Sequence, residues 1–451
     1  MNFLDRLGKE RLIFDGAMGS MLQARGLKAG ELPELWNITH NETILDIHEA
    51  YIKAGCHILK TNTFCANRLK LGKTGYSVEQ VIASGVMTAK KAAENNGAYV
   101  ALDIGPTGKL LCPFGDLDFE EAVAIFAQMV TAGANAGADL ILIETMSDTY
   151  EIKAALLAAK ENSSLPVITT CTLDSSGRML TGANIVTAIS LIEGLGADAL
   201  GINCGLGPDQ IKPFLGDLVK YASIPVVINP NAGIPLLING KTEYRITPEK
   251  FAREMKEFAA QVQIIGGCCG TTPDHIRALV EVCRDIPFMP ASPKKYTAVS
   301  SWGKTVIFGE KTVIIGERIN PTGKPRMKKA LHENDMNYLC QEGLRQAENG
   351  AEILDVNTGL PDIDETTVLA KAVTGIQSVT DTVLQIDTTN REAAERALRL
   401  YNGIPLFNSV SGKKNQFIFD ALTMIISTGG DNAKITLEAM SGVREPVLKN
   451  V

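Results

Sequence analysis

The sequence predicts an α/β protein, a (β/α)₈ TIM barrel followed by a second, incomplete TIM-barrel-like α/β domain. Three observations carry this prediction. Short apolar runs alternate with helix-like segments eight times before residue 270, the alternation breaks over residues 286–310, and it restarts after that break. Eight strand–helix units over roughly 250 residues fit a closed barrel better than an open, doubly wound sheet.

The eight predicted strands of the first domain are apolar, often β-branched runs that end in polar or glycine-rich tips. They cover residues 12–15, 57–61, 99–103, 140–144, 167–170, 199–203, 226–229 and 263–266. Segments with apolar residues at helical spacing lie between them, for example residues 119–136, 150–160 and 247–260. Because barrel chemistry sits at the carboxyl ends of the strands, functional residues are expected at these tips.

Residues 286–310 are predicted to form an exposed linker, since Pro287, Pro290 and Pro293 lie there among Ser, Ala and Lys. This divides the chain into a first domain at 1–285 and a second at 311–451. The second domain has four predicted strands, at residues 312–316, 352–355, 383–387 and 404–408, and no convincing unit follows Ser411-Gly412. A second barrel needs roughly 100 more residues than remain, so this domain is expected to be incomplete.

The composition is that of an ordinary globular protein and excludes several classes of function. The chain has 451 residues, of which 45% are hydrophobic and 21% charged, and its net charge of −7 argues against nucleic-acid and anionic-membrane surfaces. No apolar run approaches the ~20 residues of a membrane span, and no secretory h-region follows the N-terminus. Nine cysteines without the pattern of a small secreted domain favour a reducing compartment, so a cytoplasmic location is expected.

Three cysteines at two predicted strand tips form the strongest candidate site. Cys268 and Cys269 lie between glycines in Gly266-Gly-Cys-Cys-Gly270, and Cys204 ends the motif Gly201-Ile-Asn-Cys204. Three thiolates leave the fourth position of a tetrahedral Zn²⁺ open, as a catalytic zinc requires. The alternative is three ordinary buried cysteines. The doublet, the strand tips and the flanking glycines favour zinc.

The first domain resembles the homocysteine methyltransferase family over essentially residues 1–285. The motifs that carry this resemblance are Asp15-Gly-Ala-Met-Gly-Ser20, Thr61-Asn-Thr-Phe64, Gly201-Ile-Asn-Cys204, Pro230-Asn-Ala-Gly233 and Gly266-Gly-Cys-Cys-Gly270. The second domain resembles the pterin-binding barrel of methyltetrahydrofolate-dependent enzymes through Gly316-Glu-Arg-Ile-Asn-Pro-Thr-Gly323, Asp355-Val-Asn357, Ile386-Asp-Thr388 and Asn408-Ser409. This domain order is similar to the N-terminal half of cobalamin-dependent methionine synthases. No counterpart of the later pterin-domain strands is recognised.

The resemblance implies a zinc-dependent homocysteine S-methyltransferase, in which homocysteine thiolate takes a methyl group and leaves as methionine. It implies methylcobalamin on a separate corrinoid protein or domain as the methyl donor, recharged from 5-methyltetrahydrofolate. One alternative is an onium donor such as betaine or S-methylmethionine, although neither Trp36 nor Trp302 lies at a strand tip to bind such a cation. Another is a non-catalytic remnant that binds zinc and homocysteine.

The resemblance also assigns roles to residues at the strand tips. Cys204, Cys268 and Cys269 would be both metal ligands and catalytic residues, and the residues expected around homocysteine are Asp15, Gly16, Thr61, Asn62, Glu144, Asn203 and Asn231. The folate contacts would come from Asn320, Asp355, Asn357, Asp387 and Asn408. Helix caps and loop ties are the alternative interpretation of the carboxylates and amides. Half a barrel leaves an incomplete pocket, so methyltetrahydrofolate is expected to bind weakly or not at all.

Overall fold

The computed structural model describes residues 2–238, 241–292, 296–309 and 311–408. The chain divides into two compact units, Met1–Lys295 and Tyr296–Val451, which are described separately. The expectation that no further strand–helix unit follows Ser411-Gly412 concerns residues 409–451, which lie outside the described residues.

The first unit is a closed barrel of eight parallel strands, so the predicted fold is confirmed. Its strands are β1 (Leu12–Ile13), β2 (Ile58–Lys60), β3 (Tyr99–Ile104), β4 (Leu140–Met146), β5 (Val167–Cys171), β6 (Ala199–Asn203), β7 (Val226–Asn229) and β10 (Ile264–Ile265). They follow the order β1-β10-β7-β6-β5-β4-β3-β2, and a parallel bridge between Phe14 and Ile58 closes the ring. Between β7 and β10 the chain forms an antiparallel hairpin, β8 (Leu236–Ile238) with β9 (Lys241–Glu243).

Helices surround the barrel and return the chain from the end of one strand to the start of the next. They are α1 (Phe3–Arg6), α2 (Met18–Ala24), α3 (Trp36–Thr39), α4 (Asn41–Lys53), α5 (Arg68–Leu71), α6 (Val78–Ala93), α7 (Phe119–Asn135), α8 (Thr149–Asn162), α9 (Ile185–Gly194), α10 (Pro208–Ile211), α11 (Leu215–Tyr221), α12 (Pro248–Ala259) and α13 (Pro273–Cys283). Polar caps begin the two longest of them: Ser77 and Gln80 form a capping box on α6, and the Asp118 carboxylate accepts backbone N–H groups of α7. No helix among the described residues combines the length and apolar character that a membrane span requires.

Apolar side chains fill the interior of the barrel below the site. This core includes Phe14, Ile58, Ala101, Leu142 and Val227, all fully buried. Successive inward positions on a strand are two residues apart. The next inward layer toward the carboxyl ends therefore holds the residues that follow them at i+2, which are Gly16 and four polar residues, Lys60, Asp103, Glu144 and Asn229. The change from an apolar to a polar layer marks the floor of the candidate site.

The second unit contains a parallel sheet with helices packed on it. The sheet has the order β13 (Ile315–Ile319), β14 (Ile353–Val356), β15 (Val383–Asp387) and β16 (Leu406–Asn408), and the helices are α14 (Pro325–His332), α15 (Met336–Glu348), α16 (Glu365–Val379) and α17 (Arg391–Leu400). Strand β13 starts three residues later than the predicted 312–316, because Ile315 is the first residue in register with Ile353. The apolar run at 312–314 precedes the strand, which continues through the polar pair Glu317 and Arg318.

Part of the range predicted as a linker is folded instead. Strands β11 (Thr297–Ser300) and β12 (Thr305–Phe308) form an antiparallel hairpin in the second unit. Val299 and Val306 of this hairpin pack in one buried cluster with Ile353, Val383 and Leu406 of the sheet. The apolar residues that pack on the sheet decide the structure here, and the prolines that indicated a linker lie before residue 296.

Candidate metal centre and substrate pocket

Cys204, Cys268 and Cys269 meet at the carboxyl end of the barrel. Cys204 follows β6 directly, and the cysteine doublet follows β10 after two glycines. The three Sγ atoms lie within 4.8 Å of one another, and those of Cys204 and Cys269 are 3.8 Å apart. Two thiolates on one tetrahedral zinc, with Zn–S bonds of about 2.3 Å, lie about 3.8 Å apart. The thiols therefore have the spacing of zinc ligands.

Unusual backbone conformations aim these thiols at one another. Cys204 has φ of 58° and Gly205 has φ of 68°, so the chain turns through the left-handed region immediately after β6. A non-glycine residue such as Cys204 is uncommon there and occurs mainly at functional sites. Gly270, with φ of 80°, ends the doublet turn and lies against the ring of Tyr244, where a side chain would overlap the ring. These turns need glycine at both strand tips.

The three thiols share protons within a partly closed cluster. Hydrogen bonds from Cys204 and Cys268, and another from Tyr244, lower the pKa of Cys269. The same sharing raises the pKa of Cys204. The arrangement thus favours a thiolate at Cys269. A set of three soft thiolate donors fits Zn²⁺ and does not suit hard cations such as Mg²⁺ or Ca²⁺.

Asn203 ties the metal centre to the tip of β4. Its Oδ1 accepts hydrogen bonds from the Thr145 backbone N–H and from Thr170 Oγ1, each at 2.8 Å, and its Nδ2 donates to Thr145 Oγ1 at 2.7 Å. The same Nδ2 lies 3.8 Å from Cys268 Sγ. Thr145 has φ of 62°, a strained conformation for a β-branched residue. Asn203 therefore stabilises a strained turn directly after Glu144 and contacts a thiol with the same side chain.

A buried layer of charge lies beside the thiols. Asp15, Lys60, Asp103 and Glu144 are each at most 6% exposed. The Lys60 ammonium lies 3.8 Å from Glu144 Oε2 and 3.9 Å from Asp15 Oδ1, and it donates to the carbonyl of Gly267 at 3.2 Å. Asp15 Oδ2 accepts the backbone N–H of Lys60 at 2.9 Å. The layer thus joins the tips of β1, β2, β4 and β10.

Burial and mutual repulsion oppose ionisation of the carboxyl groups in this layer. Burial raises the pKa of Asp15 and of Glu144 to about 7 each, while the Lys60 ammonium acts in the opposite direction. Burial and the charge of Glu144 raise the pKa of Asp103 well above its usual range. Burial disfavours the charged form of Lys60, but Glu144 and Asp15 together raise its pKa well above the ordinary value. An added cation in this pocket would favour ionised carboxylates.

Two further predicted residues adjoin the site. Gly16 lies where a Cβ would come within 2.6 Å of Thr271 Oγ1 and 2.8 Å of the Tyr51 hydroxyl oxygen, so only glycine fits. Asn231 is 2% exposed, and its Oδ1 is buried without a hydrogen-bond partner. A buried amide oxygen without a partner is unusual in proteins, and here it lies on the turn after β7.

Two others make structural contacts. Thr61 Oγ1 accepts the backbone N–H of Asp103 at 3.0 Å, which links the tips of β2 and β3. Asn62 Nδ2 donates to the Pro33 carbonyl at 2.8 Å and to Asn37 Oδ1 at 2.9 Å, and so anchors the segment after β1. These hydrogen bonds fit the alternative interpretation of Thr61 and Asn62 as the end of a strand and the turn after it.

Four residues at the site, Lys60, Asp103, Asn229 and Tyr244, were given no site role from the sequence. Lys60 lies two positions after Ile58, whose side chain points into the barrel. Because inward positions on a strand are two residues apart, this spacing was the sequence signal that could have placed Lys60 inside the barrel. Asn229 at the end of β7 is fully buried, and both its side-chain polar atoms have no hydrogen-bond partner. Tyr244 reaches the thiols from the segment after the β8–β9 hairpin, and nothing in the local sequence indicated it.

The second unit brings its five candidate residues to the carboxyl end of one sheet. Asn357 Nδ2 donates to Asp387 Oδ2 at 2.8 Å, and Asn408 is in register with Asp387 on the next strand. Asp355 accepts a hydrogen bond from Gln385, and burial with the nearby charge of Asp387 raises the pKa of Asp355 to about 7. Asn320 Oδ1 accepts the backbone N–H of Thr322 at 2.9 Å, a turn contact.

Comparisons with known proteins agree with both units. The profile of the family described as homocysteine S-methyltransferase matches residues 12–283, and that of pterin binding enzymes matches residues 316–442. The chain is 29% identical to a methionine synthase of Mycobacterium leprae, over 98% of this chain and 39% of that protein. It is 28% identical to a methionine synthase of Mycobacterium tuberculosis, over 91% of this chain and 36% of that protein. It thus spans well under half the length of these relatives.

Solved structures match the first part of the chain. The oxidized form of the homocysteine methyltransferase MmuM from Escherichia coli has 27% sequence identity and a TM-score of 0.52, covering 62% of this chain and 97% of that chain. The metallated form of the same protein has 27% identity and a TM-score of 0.51, covering 60% and 95%. The family match spans more than half of the 451 residues and includes all three site cysteines. The chain belongs to the homocysteine S-methyltransferase family, and a pterin-binding domain follows its barrel.

Proposed function

We propose that this chain is a zinc-dependent homocysteine S-methyltransferase that makes methionine. The observation that carries the proposal is the cluster of three thiols, within 4.8 Å of one another at the carboxyl end of a barrel. Family membership supports homocysteine as the substrate. The methionine synthases among the relatives support methionine as the product.

Cys204, Cys268 and Cys269 would hold the zinc. When bound, zinc lowers the pKa of a coordinated thiol, which has a pKa near 8.5 when free, and so provides a thiolate nucleophile at neutral pH. Asn203 keeps the thiol turn and the Glu144–Thr145 turn in a fixed relation through its hydrogen bonds. Holding the substrate sulfur in one place lowers the entropic part of the barrier to transfer.

The pocket beside the thiols would hold the amino-acid end of homocysteine. Asp15 and Glu144 have buried carboxylate oxygens without hydrogen-bond partners, which suits an ammonium group. With this end fixed, the substrate sulfur forms a bond to the methyl carbon while the bond between that carbon and its donor breaks. The electron pair of the broken bond leaves with the donor, and methionine is released.

We propose methylcobalamin, carried on a separate corrinoid protein or domain and recharged from 5-methyltetrahydrofolate, as the methyl donor. The pterin-binding match and the methionine synthases among the relatives support this choice. In the second unit Asn320, Asp355, Asn357, Asp387 and Asn408 would contact the donor and acceptor edge of the pterin, since carboxylates and amides suit such an edge. We place the reaction in the cytoplasm, because all nine thiols are free and a reducing compartment keeps them so.

An onium donor such as betaine or S-methylmethionine is a second candidate. The observation that favours it is Tyr244, whose hydroxyl hydrogen-bonds to Cys269 and whose ring lies against Gly270 beside the thiols. Aromatic faces attract quaternary ammonium and sulfonium groups. A zinc- and homocysteine-binding protein without catalysis is the alternative from another functional class.

The test is methionine formation from homocysteine by the zinc-loaded full chain, with methylcobalamin, S-methylmethionine or betaine supplied in parallel. We expect turnover with methylcobalamin that is lost in Cys204→Ala and retained in Cys283→Ala, a buried cysteine at the end of α13 whose carbonyl accepts a hydrogen bond from Arg11, before β1. Faster turnover with an onium donor would change the donor and keep the enzyme class. Zinc and homocysteine binding without methionine from any donor would contradict catalysis.

A further inference from the structure

Lys60 places a buried cation inside the barrel at the level of the candidate site. Its side chain is at most 6% exposed, and its ammonium donates to the Gly267 carbonyl at 3.2 Å. The nearest carboxylate oxygens, Glu144 Oε2 at 3.8 Å and Asp15 Oδ1 at 3.9 Å, are too far for a hydrogen bond. An ammonium has three N–H donors. One of these is used within the protein, to the Gly267 carbonyl, which leaves donor capacity on a buried ammonium.

The same pocket holds acceptor capacity that the protein does not use. Asp15 Oδ1, Asp103 Oδ1 and Glu144 Oε2 are buried and have no hydrogen-bond partner. Buried polar groups are nearly always hydrogen-bonded in native proteins. Two of these acceptors, Asp15 Oδ1 and Glu144 Oε2, lie within 4 Å of the Lys60 ammonium, and acceptors beside a donor indicate a ligand that carries both kinds of group.

The charges in this layer explain why a lysine is needed there. Three carboxyl groups without Lys60 would form a uniformly acidic pocket, which attracts amines but repels any ligand that also carries a carboxylate. Homocysteine carries an α-ammonium and an α-carboxylate on one carbon. A pocket for it must offer acceptors and a cation side by side, as Glu144, Asp15 and Lys60 do.

We propose that Lys60 is a specificity-determining residue that binds the carboxylate of the amino-acid substrate while Asp15 and Glu144 accept its ammonium. The pocket would then select a zwitterion over a thiol amine that lacks the carboxylate. This proposal rests on the proposed function, because it takes homocysteine as the substrate, and it adds the residue that recognises the second charge of that substrate.

A purely structural role for Lys60 makes a different prediction. If Lys60 only balanced the carboxylates and held the β10 tip through Gly267, its loss would weaken every ligand of the pocket equally. If Lys60 binds the substrate carboxylate, its loss weakens homocysteine binding and leaves binding of the carboxylate-free amine unchanged or stronger. The ratio of the two affinities separates these roles.

The experiment is isothermal titration of the zinc-loaded full chain with homocysteine and with 3-aminopropane-1-thiol, which keeps the thiol and amine but has no carboxylate. We expect the wild type to prefer homocysteine by roughly 10- to 100-fold, the worth of a charge-assisted hydrogen bond. We expect Lys60→Met to lose most of this preference at unchanged zinc content. Lys90→Met, which removes a lysine paired with Asp139 at 2.9 Å outside the pocket, should keep it.

The wild type alone can still refute the proposal if Lys60→Met does not fold, because homocysteine methyl ester has no free carboxylate. We expect the ester to bind roughly tenfold or more weakly than homocysteine. Equal binding of homocysteine and the two carboxylate-free probes overturns the role of Lys60 but leaves the proposed function intact. An unchanged preference in a folded Lys60→Met variant overturns it as well. Failure of the zinc-loaded wild type to bind any of the three thiols overturns the proposed function itself.

Discussion

Asn203 offers a sharp test of how the barrel builds its site. Replacing it with alanine removes three hydrogen bonds of 2.7–2.8 Å to Thr145 and Thr170. The replacement also removes the amide that lies 3.8 Å from Cys268 Sγ. Thr145 keeps its strained φ of 62° only while its surroundings hold it. The variant should therefore lose stability and metal affinity together.

The size of the effect follows from these contacts. Each hydrogen bond contributes about 1 kcal/mol net, so Asn203→Ala should lower the free energy of unfolding by about 3 kcal/mol. At about 2–4 °C per kcal/mol for a domain of this size class, the Tm should fall by roughly 6–12 °C. Loss of a residue that orients metal ligands typically weakens metal binding by roughly 10- to 100-fold.

The assay is thermal unfolding by circular dichroism together with zinc titration against a competing chelator. Asn162→Ala is the matched control, because the Asn162 amide makes one hydrogen bond, to the Ala158 carbonyl at 2.9 Å near the end of α8. We expect the control to lose about 1 kcal/mol or less and to bind zinc as the wild type does. If Asn203→Ala had the same Tm as the control and kept wild-type zinc affinity, the proposed link between the turn after Glu144 and the thiol turn after β6 would be refuted.

Three further predictions concern packing, pH and metal. Gly201→Ala should abolish the folded barrel, because the new Cβ would overlap the Val227 carbonyl oxygen. Gly216→Ala is the control and should fold, because there is open space around Gly216. Equal yields of folded protein from the two variants would contradict this prediction. The pKa of Asp355 rises from 3.8 to about 7 on folding, so its contribution to stability is complete below about pH 4 and is lost as pH rises through about 7. Urea denaturation across this range should show a smaller loss in Asp355→Asn than in the wild type, because Asp15 and Glu144, with a pKa of about 7 each, titrate in both proteins; equal losses would contradict the role of Asp355. Zinc removal by a chelator should lower the Tm of the wild type but not of Cys204→Ala, and an equal shift in both would contradict the assigned ligands.

The sequence predicts the barrel well because its signals are local. Each of the eight strands is a short apolar run with a polar or glycine tip, and all eight occur within two residues of their predicted bounds. The hairpin at Thr297–Ser300 and Thr305–Phe308 was missed because its few apolar residues become meaningful only against the sheet they cover. Strand β13 was predicted too early because its polar pair, Glu317 and Arg318, does not resemble a buried strand.

The residues of the candidate site also divide into those that local sequence signals predict and those that only the folded barrel reveals. The cysteine doublet and its glycines indicated the metal centre directly, and the three thiols do meet. Lys60 was missed because the sequence alone does not show that its side chain points into the barrel. That direction follows only once the strands are known to form a closed ring. Tyr244 depends on the path of a long segment after β7, which no periodicity determines. The substrate and folate roles of the other residues stay predictions that binding measurements must test.

The most direct test of the account is to count the sulfur atoms around zinc by X-ray absorption spectroscopy, before and after homocysteine is added to the loaded full chain. We expect three sulfur ligands from the protein alone and a fourth when homocysteine binds, because its thiol takes the remaining position. A count that stays at three with homocysteine bound would contradict it, since the substrate sulfur would then not be activated by the metal that Cys204, Cys268 and Cys269 hold.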